Sequence, residues 1–453
     1  DPLLGLFLGG LEGLFELARV AKIPVQRTAR TSTGTCISNM QLERAVEGGI
    51  LIPWRKRRPE AFKTGLELLT TDKGGLTYQP VLGLHETVAE IDFAAMYPTI
   101  MATYNVSPET VGCACCGHVV PEIGSVICQR REGLVPKTLR PILEKRARYK
   151  ALMAEATSDE ARRVYDGRQS ALKWMLVTCF GYLGYKNARF GRIEAHEAVT
   201  AYGREKLLQA KEVAEARGFT LLHALTDSLW VSKDGATEAA YEALRREMAR
   251  TTGLPIGLEG VYRWLAFLPS KTTPTMGVPN RFVGVFTDGR VKVRGIELRR
   301  SDTPRFVKKA QAEMIRVLTE ARSREALTAK VDEALEVLAA SLAELAEGRA
   351  PLHELTITKR LSKDPSRYEK TSLLAEAAGE LACRGVMLRP GERVAYIITD
   401  FAGESGGPRA RAYATAESGL GYDVAKYTDL LLEAAATLLA PFGYDYARLV
   451  EIT

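Results

Sequence analysis

Two aspartates, each at the end of a short apolar strand-like run, constrain this chain more than any other feature in it. The run TVAEIDFAAMYPTI carries Asp92, and the paired runs FTLLHAL and SLWVSK have Asp227 at their junction. A lone carboxylate beside apolar strand residues is costly to bury. The commoner role of a strand-end Asp is to cap a turn. Two such carboxylates brought together from distant parts of the chain can instead hold divalent ions. Magnesium takes oxygen ligands and normally only one or two protein carboxylates, with waters and substrate phosphates completing its shell. Two ions held in this way neutralise charge and align an in-line phosphoryl transfer, which needs little covalent help from a protein. Spacing alone does not choose between these readings.

The segments around the two aspartates have the patterning of a large globular protein. Residues 11 to 48 read as helix, loop, helix, with a Thr- and Gly-rich loop, TARTSTGT. Pro136 to Ala156 and Ala161 to Gly181 read as two helices studded with Arg and Lys, joined by the turn SDEA with Ser158 as an N-cap. Leu335, Leu338, Leu342 and Leu345 recur at helical spacing, which predicts a mostly helical C-terminal third with this stripe in its core. The opening DPLLGLFLGGLEGLF is apolar, but Glu12 and several glycines interrupt it and no basic lead precedes it. It predicts a buried helix rather than a signal peptide or a membrane span. The first residue is Asp1 rather than Met, which predicts an upstream segment that was removed or is not represented. A formal net charge of +7 suits a polyanionic partner without requiring one. Four of the seven cysteines crowd between Cys113 and Cys128, and Cys36, Cys179 and Cys383 are scattered. That distribution is unlike a secreted disulfide framework and predicts a cytoplasmic setting, and with no apolar run of membrane-spanning length no membrane partner is expected.

The letters around the aspartates carry a resemblance. DFAAMYPTI, beginning at Asp92, resembles the first palm motif of family B DNA polymerases, DxxSLYPSI. HALTDSLWV resembles the second acidic motif, YGDTDS, with Asp227 on its second Asp. RQSALKWMLVTCFGYLGY is similar to the fingers helix RQxAxKxxxNSxYGxxGY, matching at Arg168, Gln169, Ala171, Lys173, Gly181, Gly184 and Tyr185. GLVPKTLRPILEKRARYK resembles the upstream helix GxxPxxLxxLxxxRxxxK and places Arg146 and Lys150 on one helical face. Weaker echoes run nearly end to end: VQRTARTSTGTCISNMQLERAV, RFVGVF, RGIELRRSDTPRF with Arg300 and Asp302, ITKRLSKDPSRY and GERVAYIIT. The resemblance implies that Asp92, the main-chain carbonyl of Phe93, and Asp227 coordinate two Mg²⁺ ions, for which Mn²⁺ can substitute. It makes Tyr97 the steric gate against a ribose 2′-hydroxyl, a specificity achieved by repulsion. Arg146, Lys150 and Lys173 would clamp the triphosphate, and Phe180 and Gly181 would pack near the templating base pair. Tyr97 as ordinary core and Lys173 as a solvated charge are the plainer alternatives.

The departures are specific. Leu225 and His223 replace the first Asp and the Tyr of YGDTDS, Val177 stands for Asn and Phe180 for Tyr in the fingers motif, and Asp72 stands for the Tyr of a YxGG loop. No DxE motif lies in a suitable strand, and at most Asp1 corresponds to the last carboxylate of a proofreading site. The chain as given is therefore expected to lack proofreading and to be of low fidelity or lesion-tolerant, like a divergent archaeal or bacterial branch. Cys113, Cys115, Cys116 and Cys128, with His118 nearby, leave three readings open. They are a structural Zn²⁺, a disulfide such as Cys113 to Cys128 (the pairing related thermophilic polymerases suggest), or buried reduced thiols.

The expected architecture is a multi-domain α/β right hand with a mixed α/β palm, helical fingers and a mostly helical thumb. Residues 1–48 form an N-terminal, exonuclease-side remnant and 49–112 the first part of the palm. Residues 113–190 form fingers with the Cys-rich segment, 191–290 the second part of the palm, and 291–453 the thumb. The implied activity is DNA-directed DNA synthesis on primer–template DNA from dNTPs, with a sliding clamp or accessory subunits as further partners. Phosphate contacts are assigned to Arg281, Lys292, Arg294, Lys359, Arg360 and Lys363, and single-stranded template to Arg27 and Arg30. The competing class is a catalytically idle relative that serves as a DNA-binding or structural subunit.

Overall fold

The computed structural model describes residues 2–54, 62–368, 372–404, 406–416 and 419–452. Asp1, set above against the last proofreading carboxylate, lies outside them. The chain divides into two compact units, Asp1–Tyr78 with Ala89–Glu259, and Gln79–Val88 with Gly260–Thr453.

The first unit opens with α1 (Pro2–Ala21), α2 (Val25–Ala29), α3 (Thr33–Glu47) and α4 (Gly65–Thr71). Strand β1 (Thr77–Tyr78) and the second half of β2 (Gly83–Phe93) lead into α5 (Met96–Thr103). Then come α6 (Leu134–Glu155), α7 (Asp159–Leu183), α8 (Ile193–Ala216), β3 (Thr220–Leu225), β4 (Ser228–Ser232) and α9 (Glu238–Thr252). The turn between α6 and α7 ends where expected: the Ser158 hydroxyl accepts the Ala161 N–H at 3.2 Å. Asp159 and Glu160 then place negative charge on the positive end of the helix dipole. Helix α1 packs along α7, so the apolar opening does form a packed helix. In its described side chains only Glu16, Ala18 and Ala21 are buried, and Phe15 is exposed.

Strands β3 and β4 form a hairpin in which Leu225 faces Ser228, so Thr226 and Asp227 are its two turn residues. Strand order in this unit is β1-β3-β4-β2, which sets the end of β2 beside the hairpin. Beside the two aspartates, Ala95 at φ 51° and Thr226 at φ 56° adopt left-handed backbone conformations, as Lys22, Asn105 and Glu122 do elsewhere in this unit. Such positions cost about 1–3 kcal/mol each and cluster at functional sites.

The second unit contains the first half of β2, then β5 (Ile256–Pro269, from Gly260 on), β6 (Gly277–Phe286) and β7 (Val291–Arg294) as an antiparallel meander. Helices α10 (Arg305–Thr319), α11 (Arg324–Ala346) and α12 (Leu352–Leu355) follow. Next are β8 (Ile357–Arg360), α13 (Leu373–Cys383), β9 (Arg393–Ile398), β10 (Ala410–Ala412), α14 (Val424–Leu439) and α15 (Tyr446–Ile452). The leucine stripe lies in the core: Leu338 and Leu345 are fully buried, with Leu335 and Leu342 packed against the same cluster as Met314, Ile397 and Leu431. Helical spacing did not signal the small antiparallel sheet β10-β9-β8, whose strands are only three to six residues long.

Candidate functional site

Chain topology brings both aspartates into one cleft of about 520 Å³, entirely within the first unit. Asp92 is the penultimate residue of β2, before the break to α5, and Asp227 lies in the β3–β4 turn. The two backbones are stapled: the Phe93 N–H donates to the Asp227 carbonyl at 2.8 Å. The Ser228 hydroxyl donates to Asp92 Oδ1 at 2.7 Å. Burial pushes the Asp92 carboxyl up to about 6; the Ser228 hydrogen bond opposes this, and the nearby Asp227, Glu90 and Glu259 add to it. Burial also raises Asp227, against its own N–H and Lys173. Two half-buried carboxylates that resist ionising together are a pair poised for a cation, since bound positive charge reverses the penalty. The donor set is all oxygen, which fits Mg²⁺ or Mn²⁺.

Facing them are three cations. Arg146 and Lys150 come from α6, one turn apart, and Lys173 from α7, all lining the same cleft. None forms an ion pair among the described residues, and the Arg146 Nε is buried without a hydrogen-bond partner there. Burial depresses both Arg146 and Lys150, the latter further through repulsion from Arg146 and Lys173. A polyanion entering here would relieve desolvation and like-charge repulsion together.

Tyr97 stands on the first turn of α5, its ring 4.3 Å from that of Phe180, which stacks on His196 at 4.1 Å. Burial, helped by Asp227, pushes its hydroxyl up to about 12. Two glycines make room for the ring. A Cβ on Gly203 would lie 2.8 Å from Tyr97 Cε1, and one on Gly75 would lie 3.2 Å from its hydroxyl and 2.8 Å from Thr226 Oγ1. The loop with Asp72 in place of Tyr is thus a close roof over Tyr97. Gly181 faces open space, with nothing within 4 Å of an added Cβ. Val177 lines the cleft with more than half its surface exposed. His223 is buried, with Nδ1 2.7 Å from the Tyr78 carbonyl and its ring stacked on Trp230. Leu225 pairs across the sheet with Thr77 and Ser228. Sequence reasoning missed Glu259, a third carboxylate on the cleft wall. Its only signal was an acidic residue in the otherwise apolar run GLEGVY.

The residues assigned to DNA differ among themselves. Arg281 is half-buried and turned inward, its Nη2 3.1 Å from Thr437 Oγ1 and 4.0 Å from Glu297. Arg294 is exposed on β7, Lys359 and Arg360 are exposed on β8, and Lys292 is partly exposed on β7. Lys363 lies over the Tyr368 ring at 5.1 Å. Arg27 and Arg30 lie in and just after α2.

Away from the cleft, the Sγ atoms of Cys113, Cys115, Cys116 and Cys128 all lie within 4.8 Å of one another. All four thiols are free, as are Cys36, Cys179 and Cys383. His118 is not among them: its Nε2 is 2.9 Å from the Tyr202 hydroxyl. No helix among the described residues is long and apolar enough to cross a membrane.

Comparison with known proteins agrees with this geometry. The model of a family described as DNA polymerase family B matches residues 23–442. A DNA polymerase of Archaeoglobus fulgidus is 29% identical over 393 residues, 86% of this chain and 47% of that protein. DNA polymerase 2 of Aeropyrum pernix is 30% identical over 447 residues, 96% of this chain and 51% of that one. Among solved structures, the family B DNA polymerase of the hyperthermophilic archaeon Pyrobaculum calidifontis shares the fold with a TM-score of 0.70 at 28% identity, over 96% of this chain and 54% of that one. The chain therefore spans about half the length of the relatives it matches.

Proposed function

Because the chain belongs to DNA polymerase family B, we propose that it extends a DNA primer on a template by adding dNTPs through two-metal phosphoryl transfer. The observation that carries the reading is the single cleft in which Asp92 and Asp227 face Arg146, Lys150 and Lys173. Asp92, Asp227 and the Phe93 carbonyl would hold two Mg²⁺ ions, which supply activation of the primer 3′-hydroxyl and charge neutralisation at the leaving pyrophosphate. The three cations bind and orient the triphosphate, Arg146 as a fork and the lysines as point charges. Tyr97, braced by Phe180 and roofed by Gly75, fills the volume a 2′-hydroxyl would need. In domain terms, residues 49–112 and 191–290 serve as palm, 113–190 as fingers and 291–453 as thumb, with 1–48 beside them.

Lys292, Arg294, Lys359, Arg360 and Lys363 suit the phosphates of primer–template DNA, so binding is indifferent to sequence and weakens with salt. Arg281, spent on Thr437 and Glu297, contributes to that track by packing rather than by direct contact. The finer reading is synthesis by this chain without proofreading, error-prone or lesion-tolerant. It is supported by Val177 and Phe180, which present apolar surface in the cleft where the family motif carries Asn and Tyr.

With a primed template, Mg²⁺ and four dNTPs, the primer should lengthen, while rNTPs should be rejected until Tyr97→Ala relaxes the discrimination at least about tenfold. DNA binding by folded protein with no extension in Mg²⁺ or Mn²⁺ would instead identify an idle, DNA-binding relative. Error rates as low as those of proofreading replicases would refute the finer reading.

A further inference from the structure

We infer that Cys113, Cys115, Cys116 and Cys128 bind one zinc ion as a tetrathiolate, and that this knuckle holds the loop that roofs Tyr97. The sulfurs carry the first part. Cys115 Sγ lies 3.7 Å from Cys116 Sγ and 3.8 Å from Cys128 Sγ. With Zn–S bonds of about 2.3 Å, the edge of a ZnS₄ tetrahedron is about 3.8 Å. Disulfide sulfurs sit at about 2.05 Å. The four thiols are thus spaced as ligands around a common centre rather than as bonded pairs.

The backbone builds the cage. The Gln129 N–H donates to Cys116 Sγ at 3.3 Å. Cys128 is pinned on both sides: its N–H donates to the Thr110 carbonyl at 2.9 Å, and its carbonyl accepts from the buried Asn105 amide at 2.7 Å. Bridges between Val111 and Ile127 and between Val119 and Val126 fold the segment back on itself. Among residues 107–131 the buried apolar side chains are few, Val111, Val120, Ile127 and Cys128. So small a core is of the kind that a structural metal commonly supports. Loading balances as four thiols plus Zn²⁺ giving the dianionic tetrathiolate and four protons, and Arg130 and Arg131, two and three residues past Cys128, bring positive charge near it in sequence.

The second part follows from Glu122, at the tip of the same segment with a left-handed φ of 62°. Its Oε2 accepts from Arg204 Nε at 2.9 Å and Nη2 at 2.7 Å. Arg204, whose side chain is only 4% exposed, passes its Nη1 to the Gly74 carbonyl at 2.7 Å. Gly75, the next residue, is the glycine pressed against Tyr97 and Thr226. The knuckle, Glu122 and Arg204 therefore form one physical path to the roof of the cleft. Neither the metal site nor this path depends on the polymerase reading.

The test uses the whole chain purified under reductant. We expect about one zinc per chain by elemental analysis, and replacement by Co²⁺ should give the intense sulfur-to-metal absorption of a tetrahedral thiolate site. Cys116→Ser and Cys128→Ser should lose the metal, while Cys383→Ser keeps it. If either variant misfolds, the zinc content and the cobalt spectrum of the unaltered chain still decide. No zinc with four titratable thiols, or thiols lost in pairs as disulfides, would overturn the metal site. For the path, chelator-stripped protein and zinc-loaded Glu122→Gln should both exchange the amides of residues 72–76 at least about threefold faster than the loaded parent. Unchanged exchange in the stripped protein would overturn the link to the roof. None of these readouts requires primer extension, so they fail or succeed independently of the proposed activity.

Discussion

Helices α6 and α7 carry two sets of cations whose circumstances are opposite. Toward α1, Lys145 Nζ lies 2.8 Å from Glu16 Oε1 and Arg168 reaches Glu12 Oε2 with Nε at 3.0 Å and Nη2 at 2.8 Å. Arg19 and the Tyr149 hydroxyl both donate to Glu16 Oε2, at 2.6 and 3.0 Å, leaving Lys145 as the charge partner of Oε1. Burial pushes the Glu16 carboxyl up, but these donors outweigh it and hold it below the usual carboxylate range. Toward the cleft, Arg146, Lys150 and Lys173 have no ion pair among the described residues, and Asp92 is pushed up rather than down. The first set is satisfied by the protein itself. The second is shifted by burial on both signs of charge, which suits the metal and triphosphate of the proposed reaction. Charges that stabilise a fold and charges that serve a ligand are thus distinguishable by the direction in which burial and partners move them.

The largest expected effect is on the cleft side. Arg146→Ala should lower the rate of single-nucleotide incorporation about 10²–10³-fold, with the melting temperature hardly changed. A large loss of stability would place Arg146 among the structural cations. Next, Glu16→Ala should cost about 2–3 kcal/mol by stranding Lys145, Arg19 and Tyr149, read as a lower denaturation midpoint with incorporation by the folded fraction within about threefold. The same pair has a pH signature. Since Glu16 is depressed in the folded chain, its contribution is complete above its unfolded value of 4.5 and fades as pH falls through the lower folded value. Glu16→Gln should flatten the acid limb of the stability profile.

A smaller effect has the opposite sign. Asp92 is raised from 3.8 to about 6, so ionising it destabilises the metal-free fold as pH rises through that interval, and the penalty persists above it. In metal-free buffer at pH 7, Asp92→Asn should therefore raise the unfolding free energy by about 1–2 kcal/mol, whereas with Mg²⁺ present it should abolish incorporation. A destabilised variant would mean that Asp92 is a structural residue like Glu16. Smallest of all, Val177→Asn should change mispair discrimination by only a few-fold, about 1 kcal/mol, measured by competing correct and incorrect dNTPs.

How far the sequence foretold this follows the range of the interactions. Asp92, Tyr97, Lys173 and Asp227 stand in short local patterns, and strand ends and helix faces then place them, so their convergence was legible. The capped start of α7 and the leucine stripe of α11 were legible for the same reason. Glu259, the Arg204 bridge to Gly74 and the Glu12 and Glu16 partners of α6 and α7 were not, because each joins residues that no local period relates. Arg281 read as a surface cation, but Thr437, far along the chain, turns it inward. The cysteines lack a paired CxxC spacing, and only the folding back of residues 111–127 gathers them.

The central claim is that Asp92 and Asp227 act together as the ligand-serving carboxylates of one polymerase cleft. It is tested most directly by rapid-quench incorporation of one dNTP into a primed template, with the parent, Asp92→Ala and Asp227→Ala at saturating Mg²⁺. The account predicts that each substitution lowers the rate at least about 10³-fold, with primer–template binding and folding retained. Incorporation by either variant within about tenfold of the parent would contradict it.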